Sequence, residues 1–236
     1  MDTIAARLGR LDWEAAAASL HGHGYAILPG VLKDAECADL QADYTTAGHY
    51  RKTITMERYR FGAGEYKYYR YPLPDILQQL RTHIYPQLAP VANTWMQVLE
   101  QETRYPAELA EWQARCAAAG QTQPTVLILQ YGKGGYNTLH QDLYGDLFFP
   151  IQAVLFLNDP EEAYSGGEFV LLEQRPRAQS RAYVLRPGKG DLLLFTTNFR
   201  PVKGSRGYYR VNMKHGVSEV QEGRRYTVGI IFHDAV

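Results

Sequence analysis

The chain has 236 residues, of which 45% are hydrophobic and 21% charged, with 25 basic and 25 acidic side chains. That is enough chain for one substantial core and too apolar a composition for a disordered segment. Zero formal net charge neither demands nor excludes a polyanionic partner, because the distribution of charge matters more than its sum.

Cys37 and Cys116 form no C-x-x-C and no disulfide framework, which fits a reducing cytoplasm. The opening MDTIAARLGRLDWEAAAASL lacks the apolar stretch of a secretory signal. No run approaches 18 apolar residues, so no membrane helix is expected. In chain order, residues 12–24 read as a helix stopped by glycine, and 25–30 as a short strand and turn. Residues 33–48 read as a second helix. The stretch 73–101 has a long helical period, with breaks expected near Pro86 and Pro90. Residues 106–120 start with proline and end with glycine, the asymmetry of a helix. From 124 onward the pattern changes to short strands with turns: 125–131, 151–158, 167–173, 182–186, 190–197, 208–215 and 225–233. The expectation is a single α+β domain over 1–236 with a mainly β core: a mostly helical part at 1–123, whose helices pack outside, and a jelly-roll core at 124–236.

The sequence LHQDLYGD, residues 139–146, places His140 and Asp142 one residue apart. On an extended segment such side chains point the same way and can reach one ion. Of the seven histidines, His21, His23, His49 and His83 fall in the helical half and read as surface residues. His215 closes the strand YYRVNMKH, placed to meet the first pair across a barrel. Two imidazoles and a carboxylate on one face form the facial triad of non-haem Fe(II) oxygenases, which leaves positions open for a co-substrate and O2. Arg225 opens the apolar strand RYTVGIIFH, and a buried guanidinium calls for a planar anion. Thr227 shares its face, Arg224 points the other way, and Tyr131 can add a phenol. A dicarboxylate that chelates the metal at one end and meets Arg225 at the other is 2-oxoglutarate. His233 shares the alternation of Arg225 and reads as a core or supporting histidine. Asp146 and Asn212 are candidates for hydrogen bonding around the triad.

The pattern Tyr131…His140-Gln-Asp142…His215-x9-Arg225-x-Thr227 resembles the Fe(II)/2-oxoglutarate-dependent dioxygenases, which fold as a double-stranded β-helix. GYAILPGVL near the N-terminus is similar to the opening of prolyl-hydroxylase-type members. HQDLYGDLFFPIQAVLFLNDP, SGGEFVLLEQRPRAQSR and RVNMKHGVSEVQEGRRYTVGIIFHDA resemble a bacterial family of oxygenases proposed to act on damaged DNA. Tyr-x8-His-Gln-Asp is also similar to AlkB-type repair dioxygenases, with two departures: Leu129 stands where those carry asparagine, and Ile231 where they carry a second arginine. The resemblance implies Fe(II) held by His140, Asp142 and His215, and 2-oxoglutarate decarboxylation coupled to C–H hydroxylation. On an N-methyl group that outcome is dealkylation. The alternative is a hydroxylase of an amino acid, a small metabolite or a protein side chain.

Residues 50–71 interleave tyrosines with arginines and lysines. They read either as a stacking platform for alkylated single-stranded DNA or as a lid over the metal. Tyr66, Tyr68, Tyr69, Arg70 and Tyr136 are the substrate candidates. From 171 to 225 twelve basic residues face four acids, a local balance of 12 − 4 = +8. It reads either as a phosphate footprint or as solvated loops.

Overall fold

The computed structural model of the chain describes residues 2–160 and 162–236. Its helices are α1 (Ile4–Leu8), α2 (Trp13–His23), α3 (Asp34–Asp43), α4 (Asp75–Val98) and α5 (Leu109–Ala118). The strands of the N-terminal half are β1 (Tyr25–Leu28), β2 (Tyr50–Thr55), β3 (Gly62–Ala63) and β4 (Glu65–Tyr69). Then come β5 (Leu127–Tyr131), β6 (Tyr136–His140), β7 (Ile151–Phe156), β8 (Tyr164–Gly166), β9 (Phe169–Gln174) and β10 (Arg181–Leu185). The last are β11 (Leu192–Thr196), β12 (Phe199–Gly204), β13 (Gly207–Val217), β14 (Val220–Gly223) and β15 (Arg225–Ile230).

Two antiparallel sheets face each other, as a jelly roll requires. The larger runs β1-β11-β7-β15-β5-β4-β2; the smaller runs β10-β9-β13-β6-β3, with β12 also paired to β13. The period of two explains how one strand serves both sides of the larger sheet. In β7, Ile151, Ala153 and Leu155 join the helices in the main core, whereas Val154 and Phe156 pack between the sheets with Phe169, Phe195 and Met213. Both faces are covered, which is why this strand is apolar at every position but Gln152 and buried throughout.

The helices lie outside, as expected, but two details differ from the sequence reading. The helix α4 is not broken at Pro86 or Pro90 and carries both prolines inside it. Tyr85, Leu88, Ala89, Ala92 and Trp95 are buried on either side of them, so packing overrides the lost N–H donors. The Thr94 hydroxyl donates to the Pro90 carbonyl, 2.9 Å away. The second difference is that the part at 1–123 carries strands beside its helices. Residues 50–69 form β2, β3 and β4, two of which extend the larger sheet. Strands β6, β8, β12 and β14 likewise lie outside the segments expected as strands. Gly24, with φ +80°, ends α2 in the left-handed conformation and turns the chain into β1.

The C-terminus is tied down by a buried ion pair. Arg81 Nη2 donates to Asp234 Oδ1 at 2.7 Å, and the Tyr71 hydroxyl donates to Asp234 Oδ2 at 2.8 Å. Among the described residues no helix is long and apolar enough to cross a membrane.

Candidate metal centre and anion pocket

Antiparallel pairing of β6 with β13 sets His140 directly opposite His215, although they are far apart in sequence. Their rings stand 4.2 Å apart. The register shifts just after this pair, at Gly216, where a Cβ would come 2.6 Å from the Asn137 carbonyl oxygen. Only glycine permits that approach. His140 ends β6 and Asp142 follows in the loop, so the two do not share an extended strand as expected. They converge all the same. Asp142 Oδ2 lies 3.2 Å from His215 Nε2, and Oδ1 lies 3.6 Å from His140 Nε2. The three ligand atoms fall within 4.8 Å of one another.

Three residues bear on the triad that sequence reasoning did not single out in this role. The Tyr144 hydroxyl donates to Asp142 Oδ1 at 2.8 Å and accepts from the Tyr68 hydroxyl at 3.1 Å. Gln141 Nε2 donates to the Asn198 and Met213 carbonyls and to Asn212 Oδ1, pinning the loop to β13. Gln152 is buried on the inner face of β7, its Nε2 without a partner among the described residues. Asn212 thus supports the loop, whereas Asp146 is exposed. His140 Nδ1 lies 2.8 Å from the Thr138 carbonyl, which makes Nδ1 the donor there and directs Nε2 toward Asp142. Burial disfavours the charged form of Asp142, but the adjacent His140 and His215 outweigh it and hold the carboxyl well below the usual range. Burial, then repulsion from His140, pushes His215 below the usual histidine value, against the pull of Asp142. His233 is fully buried, and burial depresses it to about 3; its Nδ1 accepts from the Phe149 N–H.

The triad opens into a cavity of about 220 Å3 between the sheets. Its walls come from the inner faces of β4, β5, β7, β15, β11, β9 and β13. Arg225 pairs in register with Tyr131 and lies beneath the cavity, 1% exposed. Its Nη1 reaches Thr227 Oγ1 at 3.3 Å, its Nε has no hydrogen-bond partner among the described residues, and its guanidinium lies 5.5 Å from the Tyr131 ring and 5.2 Å from that of Phe156. No carboxylate forms an ion pair with it among the described residues. Burial raises Tyr131 to about 12, so it is a protonated phenol. Arg224 is exposed.

The substrate candidates divide. Tyr66 and Tyr68 line the cavity. Tyr69 does not: it is fully buried in the helix-side core, with its ring 4.9 Å from that of Tyr50, because odd positions of β4 face away from the barrel. Arg70 lies just past the strand and is exposed, and Tyr136 is exposed outside the cavity wall. Leu129 and Ile231 both line the cavity as apolar wall.

Comparison with known proteins fits this geometry. Residues 64–235 match the model of the Oxygenase-NA family, described as an oxygenase catalysing oxidative methylation of damaged DNA. An uncharacterized protein of Mycobacterium tuberculosis (strain H37Rv) is 49% identical over 164 residues, 70% of either chain, as is its counterpart in strain CDC 1551. Among solved structures, a Pseudomonas putida prolyl-4-hydroxylase superposes with a TM-score of 0.54 at 15% identity, covering 95% of this chain and 100% of that one. A Burkholderia pseudomallei oxidoreductase of the 2OG-Fe(II) oxygenase family gives 0.55 at 15% identity, covering 95% and 93%. At that identity the likeness establishes the fold, the double-stranded β-helix. The family match covers most of the chain and includes the triad and Arg225: this protein is a member of the Oxygenase-NA family of oxygenases.

Proposed function

We propose that the protein is an Fe(II)- and 2-oxoglutarate-dependent dioxygenase that hydroxylates alkyl groups on damaged bases of single-stranded DNA, releasing them oxidatively. One observation carries the co-substrate: Arg225 is a buried cation with no counter-ion among the described residues, in the cavity that also holds the triad. A buried guanidinium without an anion is costly, and a carboxylate relieves that cost.

The residues fit the metal. Ligands at about 2.1 Å, set at right angles on one ion, stand about 3 Å from one another. The carboxylate–imidazole separations of 3.2 and 3.6 Å match that spacing. His140, Asp142 and His215 would hold Fe(II), and Tyr144 would orient the carboxylate. Arg225, Thr227 and Tyr131 would hold the far carboxylate of 2-oxoglutarate. When bound, the iron supplies activation of O2. The overall reaction balances: 2-oxoglutarate, O2 and a substrate C–H give succinate, CO2 and C–OH, with one oxygen atom in succinate and the other in the alcohol. On an N-methyl base the alcohol is a hemiaminal, which loses formaldehyde. An oxygenase therefore removes such a methyl group.

The family description supports the DNA substrate. A second reading rests on Tyr66 and Tyr68, whose rings form cavity wall instead of an open platform. That enclosure suits a small metabolite or amino-acid side chain. The test is succinate release above the uncoupled background by Fe(II)-loaded protein, with methylated oligonucleotides and a metabolite panel. Formaldehyde matching succinate on a methylated strand supports the first reading. Stimulation by a small molecule alone supports the second, and no 2-oxoglutarate consumption at all overturns both. A reducing cytoplasm, where Cys37 and Cys116 stay as buried free thiols, suits such an enzyme.

A further inference from the structure

A second cleft, of about 550 Å3, shares no lining residue with the catalytic cavity. It lies where the segment between α4 and α5 meets the loop after β6 and the β12–β13 hairpin. Three arginines line it, against one acid, Asp146. Arg115 is engaged by Glu111, 2.5 Å away. The other two form no ion pair among the described residues. Among the described residues Arg104 Nη1 donates to the backbone carbonyls of Gln101 and Thr103, at 2.6 and 2.8 Å. Arg210 has no acidic partner among the described residues, and its guanidinium lies 4.0 Å over the ring of Phe199. Beside them Tyr208 is 47% exposed, and Trp112 has its indole N–H buried without a partner among the described residues.

Two uncompensated guanidinium groups call for an anion with several oxygens. Exposed and edge-packed rings call for a flat, polarisable body. An unpartnered buried N–H calls for an acceptor. A ligand that joins these three properties is a nucleotide: phosphate, aromatic base and heterocyclic acceptors. We infer that this cleft is a binding subsite for a nucleoside monophosphate unit, with the phosphate on Arg210 and Arg104 and the base against Tyr208, at the wall that Trp112 lines. The unit is either one nucleotide of a strand whose damaged base enters the catalytic cavity, or a free nucleotide. The strand source rests on the DNA reading above; the free source does not. One loop bridges the two sites. Asp142 and Tyr144 face the metal end, and Asp146 and Phe148 line the cleft. The Tyr105 hydroxyl fixes that loop by donating to the Phe148 carbonyl at 3.0 Å. The hairpin continues the basic surface with exposed Lys203 and Arg206.

The experiment is calorimetric titration of the full chain with dAMP, with inorganic phosphate and with a short single-stranded oligonucleotide. Wild type is compared with Arg210→Ala and Tyr208→Ala, both exposed positions. The expected result is dAMP binding at least roughly tenfold tighter than phosphate, weakened roughly tenfold or more by Arg210→Ala. An oligonucleotide affinity that falls by a similar factor, with a shallower salt dependence, assigns the strand source. Loss of dAMP binding with oligonucleotide binding intact assigns the free nucleotide. The inference is overturned if dAMP binds no tighter than phosphate, or if Arg210→Ala binds dAMP as wild type does. Turnover of 2-oxoglutarate reads the catalytic cavity independently, so a silent cleft in an active enzyme refutes this inference alone.

Discussion

Arg225→Met separates a structural arginine from a ligand-binding one, because the two roles predict opposite signs. In the unliganded protein the guanidinium is 1% exposed, with a long 3.3 Å contact to Thr227, two flanking rings and an unpartnered Nε. Cation–π contacts recover only part of the desolvation cost. Replacing an undercompensated buried charge with an apolar side chain of similar length should therefore raise unliganded stability, by about 1–4 kcal/mol. Binding should respond the other way. Removing one partner of a buried ion pair costs about 3–5 kcal/mol, or about two to three and a half decades in the 2-oxoglutarate dissociation constant. At about a hundred times its dissociation constant, 2-oxoglutarate adds about 2.7 kcal/mol to wild type. At about 2–4 °C per kcal/mol for a chain of this size, that is a Tm rise of about 5–11 °C. The same concentration should give Arg225→Met at most about 0.4 kcal/mol, near 1 °C. Thermal denaturation with and without 2-oxoglutarate, with Mn(II) at the site to prevent turnover, measures both effects. Arg224→Met is the control and should keep the full shift. A destabilised Arg225→Met protein that still gains stability from 2-oxoglutarate would refute the argument, since Arg225 would then be structural.

Further outcomes follow from the same geometry. His140→Ala or Asp142→Ala should leave the barrel folded and abolish stoichiometric divalent-metal binding, read by metal analysis after dialysis; full metal content in either variant would remove the triad assignment. Tyr144→Phe deletes the 2.8 Å hydrogen bond to Asp142 and should weaken metal affinity by roughly 10–100-fold with unchanged far-UV dichroism. Burial holds His233 down at about 3, whereas a free histidine titrates near 6.5, so between those values the unfolded chain binds one more proton than the folded one. Stability from this group is therefore lost as the pH falls through that window, by about 1.4 kcal/mol per unit; His233→Gln should show a correspondingly smaller loss between pH 6 and 5 in denaturant titrations, and an unchanged loss would count against it. Asp234→Ala strands the buried Arg81 and should cost about 3–5 kcal/mol by the same measurement.

The triad and Arg225 were legible because each sits on or beside a strand whose period of two fixes its face, and because metal chemistry restricts residue type. What stayed hidden lacked such a constraint. Strand β6, YNTLH, has little apolar content because it carries the site and faces an open cavity, so no alternation of hydrophobicity marks it. Strand β12 contains Pro201, which demotes a run in any reading by propensity. Tyr144 gives no signal at all in sequence, since its hydrogen bond to Asp142 depends on the path of a loop. Once Glu65–Tyr69 is known to be a strand, Tyr68 and Tyr69 cannot both face a substrate. Alternation sends Tyr68 to the cavity and Tyr69 to the helices.

The same reasoning limits how a nucleic acid can be held. Much of the excess basic charge of residues 171–225 is already committed: Arg175 and Arg200 to Glu173, Arg186 to Glu168, Lys189 to Asp34, and Arg225 within the barrel. The exposed cations left on the β12–β13 hairpin are Lys203, Arg206 and Arg210, beside the second cleft and not at the Tyr66–Tyr68 wall. Inside the cavity beside the triad Leu129 and Ile231 are apolar, so that wall has no side-chain donor at the two positions where AlkB-type sites differ. A base entering there would be gripped by shape and by the rings of Tyr66 and Tyr68. Its phosphates would have to be held from outside, by the hairpin. Neutralising Lys203 and Arg206 together should therefore shallow the salt dependence of oligonucleotide binding by about two phosphate contacts while leaving 2-oxoglutarate affinity unchanged. An unaltered salt slope would place the strand elsewhere on the surface, and a changed 2-oxoglutarate affinity would show that the hairpin is mechanically part of the barrel mouth.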